Sequence, residues 1–420
     1  MAMPRTQEMG VVLLGALAAL VPVGCAPNLT ALSRLLDASE FDRAVSSVAG
    51  DAAQENALAA LLLEREAAIG ESPLDAARAL AGAGADGRRS LERLADGTAA
   101  PANALARIAL SRRRPPSEAA LSSLLADASA DVRFFAVSTW DDDIEAERLA
   151  ALVLDNDPRV RADAVGALGR LVDDAYSRVL RDAARLDPDQ RVRSEAARSG
   201  RALGADAVDV LRELLGGDEP GVAQAALLGL GNVGTKEALG LLEERALGAL
   251  DETAVVAAAE LARIGSEKGR ARLREALADE RQGIRATAAV NLARADLEDR
   301  VELLLGLLDD DAPRVVLIAA ASIGDGPHRD RVIAALRKVY EGAGTAGEEA
   351  RDALAVQGDP VAVKAVEEAL AAADEAESIL ILGRLRRAPS LRARFVAMLA
   401  DDRPPVRRAA AVAVLATPKS

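Results

Sequence analysis

Aliphatic residues recur along this chain at two periods. The short one is helical: Leu, Val and Ala return every three or four residues, and no stretch alternates with the period of two that a strand needs. The long period is 31 residues. Leu149, Leu180, Leu211, Leu242, Leu273 and Leu304 keep it without a slip, and Leu215, Ala246, Leu277, Leu308 and Val339 run beside them. Rows that hold one register over so many copies require internal repetition of a two-helix unit. A third series, Leu168, Leu230, Leu261, Leu292, Ile323, Leu354, Leu382 and Val414, marks the ends of the other helix, with earlier echoes at Leu80, Ile108 and Trp140. The pattern predicts an all-α array of about eleven or twelve repeats.

Local signals agree with the periodicity. Pro158, Pro188, Pro220, Pro313 and Pro405 sit just inside first helices, where a missing N–H costs nothing. Asp157, Asp187, Asp218, Asp311 and Asp402 precede them and suit the helix N-terminus. Gly169, Gly204, Gly234, Gly265 and Gly324 are read as turns between the helices. Residues 29–72 carry helical spacing without the regular repeat and are expected to form degenerate capping helices, since the end of an array must present a polar face. Gly342 to Gly347 predicts a longer loop, after which the helical pattern resumes.

Composition narrows the function classes. Half of the residues are hydrophobic but only 2% are aromatic, so the apolar mass is Ala, Leu and Val, suited to closely packed helices. The net charge of −14 argues against nucleic acid as a partner, because phosphates need a positive footprint. One histidine, His328, cannot build a His-rich metal centre. The Asp-rich turns at 141–143, 155–157 and 309–311 lack EF-hand spacing and are read as caps, with no metal. No phosphate loop, nucleophile elbow or Cys/His cluster occurs. No catalytic residue, cofactor or small-molecule substrate is expected, and Trp140 is read as core.

The stretch Asp157-Pro-Arg-Val-Arg-Ala-Asp-Ala-Val-Gly-Ala-Leu-Gly, followed by a Leu-rich second helix, resembles HEAT-like repeats, especially the short kind named from phycobilisome lyases. The resemblance covers roughly residues 73 to 417. It implies an α-solenoid: a right-handed superhelix whose second helices line the concave face. It also implies a ladder between neighbouring units, formed by the Asp before a helix and the Arg after its Val, carried over here to Asp157 with Arg161, Asp189 with Arg193 and Asp402 with Arg407, and incomplete at Ala223 and Val316. Some HEAT-like proteins are enzymes, so the array alone does not settle the class. With no catalytic constellation in the chain, a binding scaffold with an unspecified protein partner is the expectation. An enzyme or enzyme accessory related to the lyases is the alternative.

The amino terminus points to a location. Gly10 to Val23 is an apolar run too short to span a bilayer, preceded by Arg5 and closed by Gly24-Cys25, the only cysteine. This resembles a bacterial lipoprotein signal. The resemblance implies a signal peptide over 1–24, lipid on Cys25, and a cell-envelope location, with Ala26 implying the periplasmic side of the outer membrane. The expected organisation is therefore 1–24 signal peptide, 25–72 tether and capping helices, and 73–420 repeat array.

Two surfaces stand out as candidate docking sites. Asp182, Glu213, Glu244 and Glu275 fall 31 apart and two residues past ladder leucines, about 200° around the helix, so they form an acidic row facing away from the core. Residues 384 to 420 are net basic, with Arg386, Arg387, Arg407 and Arg408 as a possible docking end for acidic protein or anionic polymer. Stacked at about 10 Å per repeat, the array would extend to about 110 Å.

Overall fold

The computed structural model describes residues 29–69, 72–97, 101–111, 117–141, 144–294, 297–324, 326–342 and 344–417. The apolar run and Cys25 lie outside them. Among the described residues there are 26 α-helices and no strand. They fall into two compact units: residues 1–110 with 355–420 form unit 1, and residues 111–354 form unit 2. The helices read as an amino-terminal cap pack with the far end of the chain.

Unit 1 begins with α1 (Leu29–Asp37), α2 (Phe41–Val48), α3 (Ala52–Ile69), α4 (Pro73–Gly82), α5 (Gly84–Asp96) and α6 (Ala102–Leu110). Unit 2 runs through α7 (Glu118–Leu125), α8 (Ala130–Trp140), α9 (Ala146–Leu152), α10 (Pro158–Leu171), α11 (Ser177–Leu186), α12 (Gln190–Arg198), α13 (Ala207–Leu215) and α14 (Pro220–Val233). It continues with α15 (Lys236–Leu247), α16 (Glu252–Arg263), α17 (Glu267–Leu277), α18 (Gln282–Arg294), α19 (Arg300–Leu307), α20 (Pro313–Ile323), α21 (Arg329–Tyr340) and α22 (Thr345–Val356). The chain then returns to unit 1 as α23 (Pro360–Ala372), α24 (Glu375–Leu385), α25 (Arg392–Ala397) and α26 (Pro404–Ala416).

Within unit 2 the helices alternate between two layers. Even-numbered helices from α8 to α20 pack side by side in one layer, and odd-numbered helices from α7 to α21 form the other, more loosely neighboured layer. The 31-residue row from Leu149 to Leu304 is buried throughout, on the odd helices, facing the even layer. Trp140 is likewise core, and its Nε1 donates to the Ser111 carbonyl at 3.3 Å. Glycine decides how closely the even helices approach. A Cβ on Gly229 of α14 would collide with the Ala197 carbonyl oxygen of α12, and one on Gly169 of α10 with the Ser199 side chain. Gly169 is therefore not a turn residue but a contact inside α10. Gly204, Gly234, Gly265 and Gly324 do carry the positive φ that a turn requires.

Unit 1 joins sequence-distant segments. Helix α26 packs along α3 and α4, and α24 and α25 pack on α26. At the joint Arg392 is the central group. Its Nε meets Glu55 at 3.1 Å, one amino group donates to the Val414 carbonyl at 2.9 Å, and the other donates to Asn56 Oδ1 at 2.8 Å. Glu55 is completed by the Gly50 N–H at 3.0 Å. Arg408 pairs with Glu66 at 2.6 Å, and the Arg407 guanidinium lies 4.1 Å from the Phe41 ring centroid. Ends that an extended array would hold about 110 Å apart are here packed on each other.

Candidate functional site

The even layer of unit 2 is bound together along one edge by a ladder of arginines. Each arginine follows the buried valine or isoleucine of its helix and reaches the acidic turn of the next repeat. Arg133 grips Asp155 with two bonds of 2.8 Å. Arg161 grips Asp187 at 2.8 and 2.9 Å, and Arg285 grips Asp310 at the same distances. Arg193 pairs in the same way with Glu219. The remaining guanidinium nitrogen donates to a carbonyl in the arginine's own turn, Asp155 for Arg161 and Asp279 for Arg285. Burial opposes ionisation of Asp155, yet the Arg133 hydrogen bonds and the Asp157 N–H hold its carboxyl below the usual range.

The ladder runs between neighbouring repeats, but through acids other than Asp157, Asp189 and Asp402. Asp157 does not meet Arg161, nor Asp189 Arg193. Both aspartates cap their own helices, accepting from the N–H two residues on and from the side chains of Arg159 and Arg191. Arg191 is the main reason that Asp189 is drawn down to about 2. At the far end Arg407 donates to the Asp401 carbonyl at 2.6 Å rather than pairing with Asp402. Ala223 and Val316 leave rungs missing, as their side chains require.

The even helices also line a concavity of unit 2 of about 1200 Å³, which Ala346 of α22 lines as well. The second helices therefore do not line it. Its wall follows the repeat. One row, Arg191, Gly221, Glu252, Gly283 and Arg314, stands at the helix starts, and a second, Glu195, Ala225, Val256, Thr287 and Ile318, lies one turn deeper. Arg198, Leu228 and Val290 add a third level, so all five helices show the cavity positions i and i+4, and α12, α14 and α18 also i+7, one face of a helix. Leu228, Val256, Val290 and Ile318 make an aliphatic floor, and no aromatic residue lines it.

The polar groups on this wall fall into two sets. Arg191 is held by Asp189 at 2.8 Å, and Arg198 by Glu195 at 2.9 Å. The side chains of Gln190, Gln224, Gln282, Glu252 and Arg314 form no hydrogen bond or ion pair with any described residue. Gly221 leaves room for one of them, since a Cβ there would stand 2.5 Å from Gln190 Nε2. Sequence reasoning missed this surface. Its signal is the polar or small residue one place before each buried Val192, Val222, Ile284 and Val315, and three places after the first three of them.

The two surfaces singled out from sequence are placed differently. Asp182, Glu213, Glu244 and Glu275 are exposed on α11, α13, α15 and α17, in the layer away from the cavity. Arg178 lies 3.8 Å from Asp182, Arg185 2.7 Å from Glu213 and Arg272 2.7 Å from Glu275, so the row is largely neutralised. Of the basic end, Arg386 and Arg387 are exposed, whereas Arg407 and Arg408 are engaged with α2 and α3 inside unit 1. No group of acidic, His or Cys side chains with metal-binding geometry occurs among the described residues.

The paired helices, their two layers and the arginine ladder define an all-α, HEAT-like helical-repeat protein of the α-solenoid class. No family profile and no curated protein matches the chain. Among solved structures it is similar to the complex of CpcE and CpcF of phycocyanin lyase from Nostoc sp., at 19% identity over 53% of this chain and 95% of that one, TM-score 0.36. It is similar to human deoxyhypusine hydroxylase at 18% identity over 56% of this chain and 94% of that one, TM-score 0.28. Importin beta matches at 15% identity over 89% of this chain and 60% of that one, TM-score 0.31. Likeness at this level carries no activity across.

Proposed function

We propose that the protein is a non-catalytic scaffold of the bacterial cell envelope, held to the membrane by lipid on Cys25, and that a protein partner docks in the cavity of unit 2. The observation that carries the reading is the wall itself. It is a repeated surface on which Gln190, Gln224, Gln282, Glu252 and Arg314 stand without internal partners over an aliphatic floor. Protein interfaces combine such a floor with a polar rim. The anchoring half rests on the sequence resemblance around Gly24-Cys25 alone.

Each half has its own test. A photo-crosslinking residue replacing Leu228, activated in envelope membranes, is expected to trap one discrete protein. The same probe replacing exposed Leu380 should not. Equal labelling at both places, or none at Leu228, removes the docking claim. Cys25→Ser is expected to move the protein from the membrane fraction to the soluble one, and unchanged fractionation removes the anchor.

A further inference from the structure

We infer that the cavity of unit 2 takes an extended polypeptide segment, its main-chain amides held by Gln190, Gln224 and Gln282 and its aliphatic side chains seated on Leu228, Val256 and Ile318. The inference rests on the scaffold reading and specifies the chemistry of its partner.

The occupant is set by what the wall offers and what it lacks. A carboxamide presents both donors and an acceptor, the complement of a peptide unit. Helices and sheet interiors satisfy their own N–H and C=O groups, so only an extended strand or loop has them free to give. The three glutamines stand on α12, α14 and α18, spread along the layer rather than clustered on one group. A compact small molecule would not need that spread. A nucleic acid or glycan would be held by stacking on aromatic rings, and none lines the wall. A polyanion would need several free cations. Three arginines and two glutamates line the cavity, and two of those arginines are already tied to carboxylates.

The two remaining charges give the segment a polarity. Glu252 begins α16, and Arg314 is the second residue of α20, two helices further along the same row. Neighbouring helices in one layer lie about 8–10 Å apart, so the charges are separated by roughly 16–20 Å. An extended chain advances about 3.3 Å per residue. A fitting segment therefore carries a lysine or arginine and, about five or six positions away, an aspartate or glutamate, with aliphatic residues between them.

A phage-displayed random dodecapeptide library, panned on the full chain, tests this. Enriched peptides are expected to show that charge spacing. In a synthetic copy, N-methylation of alternate amides should weaken binding by about 30-fold, because each blocked N–H strands a partner. Gln224→Ala and Gln282→Ala should each weaken it by about 10-fold at unchanged melting temperature. Exchanging the charges, Glu252→Arg with Arg314→Glu, should select peptides of the reverse polarity. Peptides indifferent to N-methylation, or bound more tightly when stapled as helices, overturn the inference. So does a library without enrichment. If Leu228 still crosslinks a discrete protein in that case, the scaffold reading stands and only the extended mode is lost. If neither occurs, both fall.

Discussion

Arg161 shows what one residue does in this molecule. Its guanidinium spends two nitrogens on Asp187 in the next repeat and a third on the Asp155 carbonyl behind it, so one side chain fixes two turns and the spacing between them. Both partners are largely out of water, at 12% and 8% side-chain exposure. Such a pair gives specificity of register more surely than stability, since desolvation offsets much of the attraction. Breaking it is another matter. Arg161→Met leaves the Asp187 carboxylate without its cation and is expected to destabilise unit 2 by about 3 kcal/mol, a drop of roughly 8 °C in melting temperature. Adding Asp187→Leu should recover most of that loss, because an apolar pair replaces a stranded charge. Calorimetry on the two variants checks this, and a double variant no better than the single one removes the argument. The sequence showed the arginines but not their partners. Asp157 is nearer in the chain, yet a helix cap is committed to its own N-terminus, so Arg161 must look across to the next repeat.

Whole helices obey a second rule, set by size. The Leu rows and helix ends are legible because burial on one face imposes a period that survives sequence drift. Which layer faces the cavity is not legible that way, since both helices of a repeat bury an aliphatic face. It is decided by closeness of approach, and therefore by residues that leave no trace in a hydrophobic pattern. Gly166, Gly169 and Gly229 allow the even helices to touch backbone to neighbour, whereas the odd helices meet one another less closely. The tighter layer becomes the one that lines the concavity. Gly229→Ala isolates this effect. In an isolated helix the change would favour folding by about 1 kcal/mol. Here the added methyl meets the fixed Ala197 carbonyl, so a net loss of about 2 kcal/mol is expected. Gly240→Ala on α15, with open space at its Cβ position, should instead gain stability. Urea denaturation of both variants decides it, and equal signs would mean that packing at Gly229 does not set the layer.

On the scale of the molecule, the chain's ends share unit 1, and the charge distribution acquires a different meaning. The excess of arginine after residue 384 reads from sequence as a docking end for an outside partner. Part of it is met within the chain: Arg392 by Glu55 and Asn56, Arg408 by Glu66, Arg407 by the face of Phe41. Periodicity could not reveal this, because it reports local structure and the partners are more than 300 residues apart. The consequence is thermodynamic. Helices α3 and α4 bury part of their surface against α26, so residues 29–110 should not hold their native stability without the carboxy-terminal segment. Arg392 is the sharpest probe. With 11% of its side chain exposed and three elements converging on it, Arg392→Met strands Glu55, Asn56 and the Val414 carbonyl together. Losing a buried charge and its hydrogen bonds is expected to cost about 4 kcal/mol, all of it in unit 1. Amide hydrogen exchange should then show α3, α4 and α26 losing protection together, by about 1000-fold if opening of that unit controls exchange, while α12 to α18 keep theirs. Arg386→Met, an exposed change on the same basic stretch, should leave every segment as it was. Protection lost evenly across both units would mean that they unfold as one, and loss in α26 alone would mean that the terminal segments are not one cooperative body.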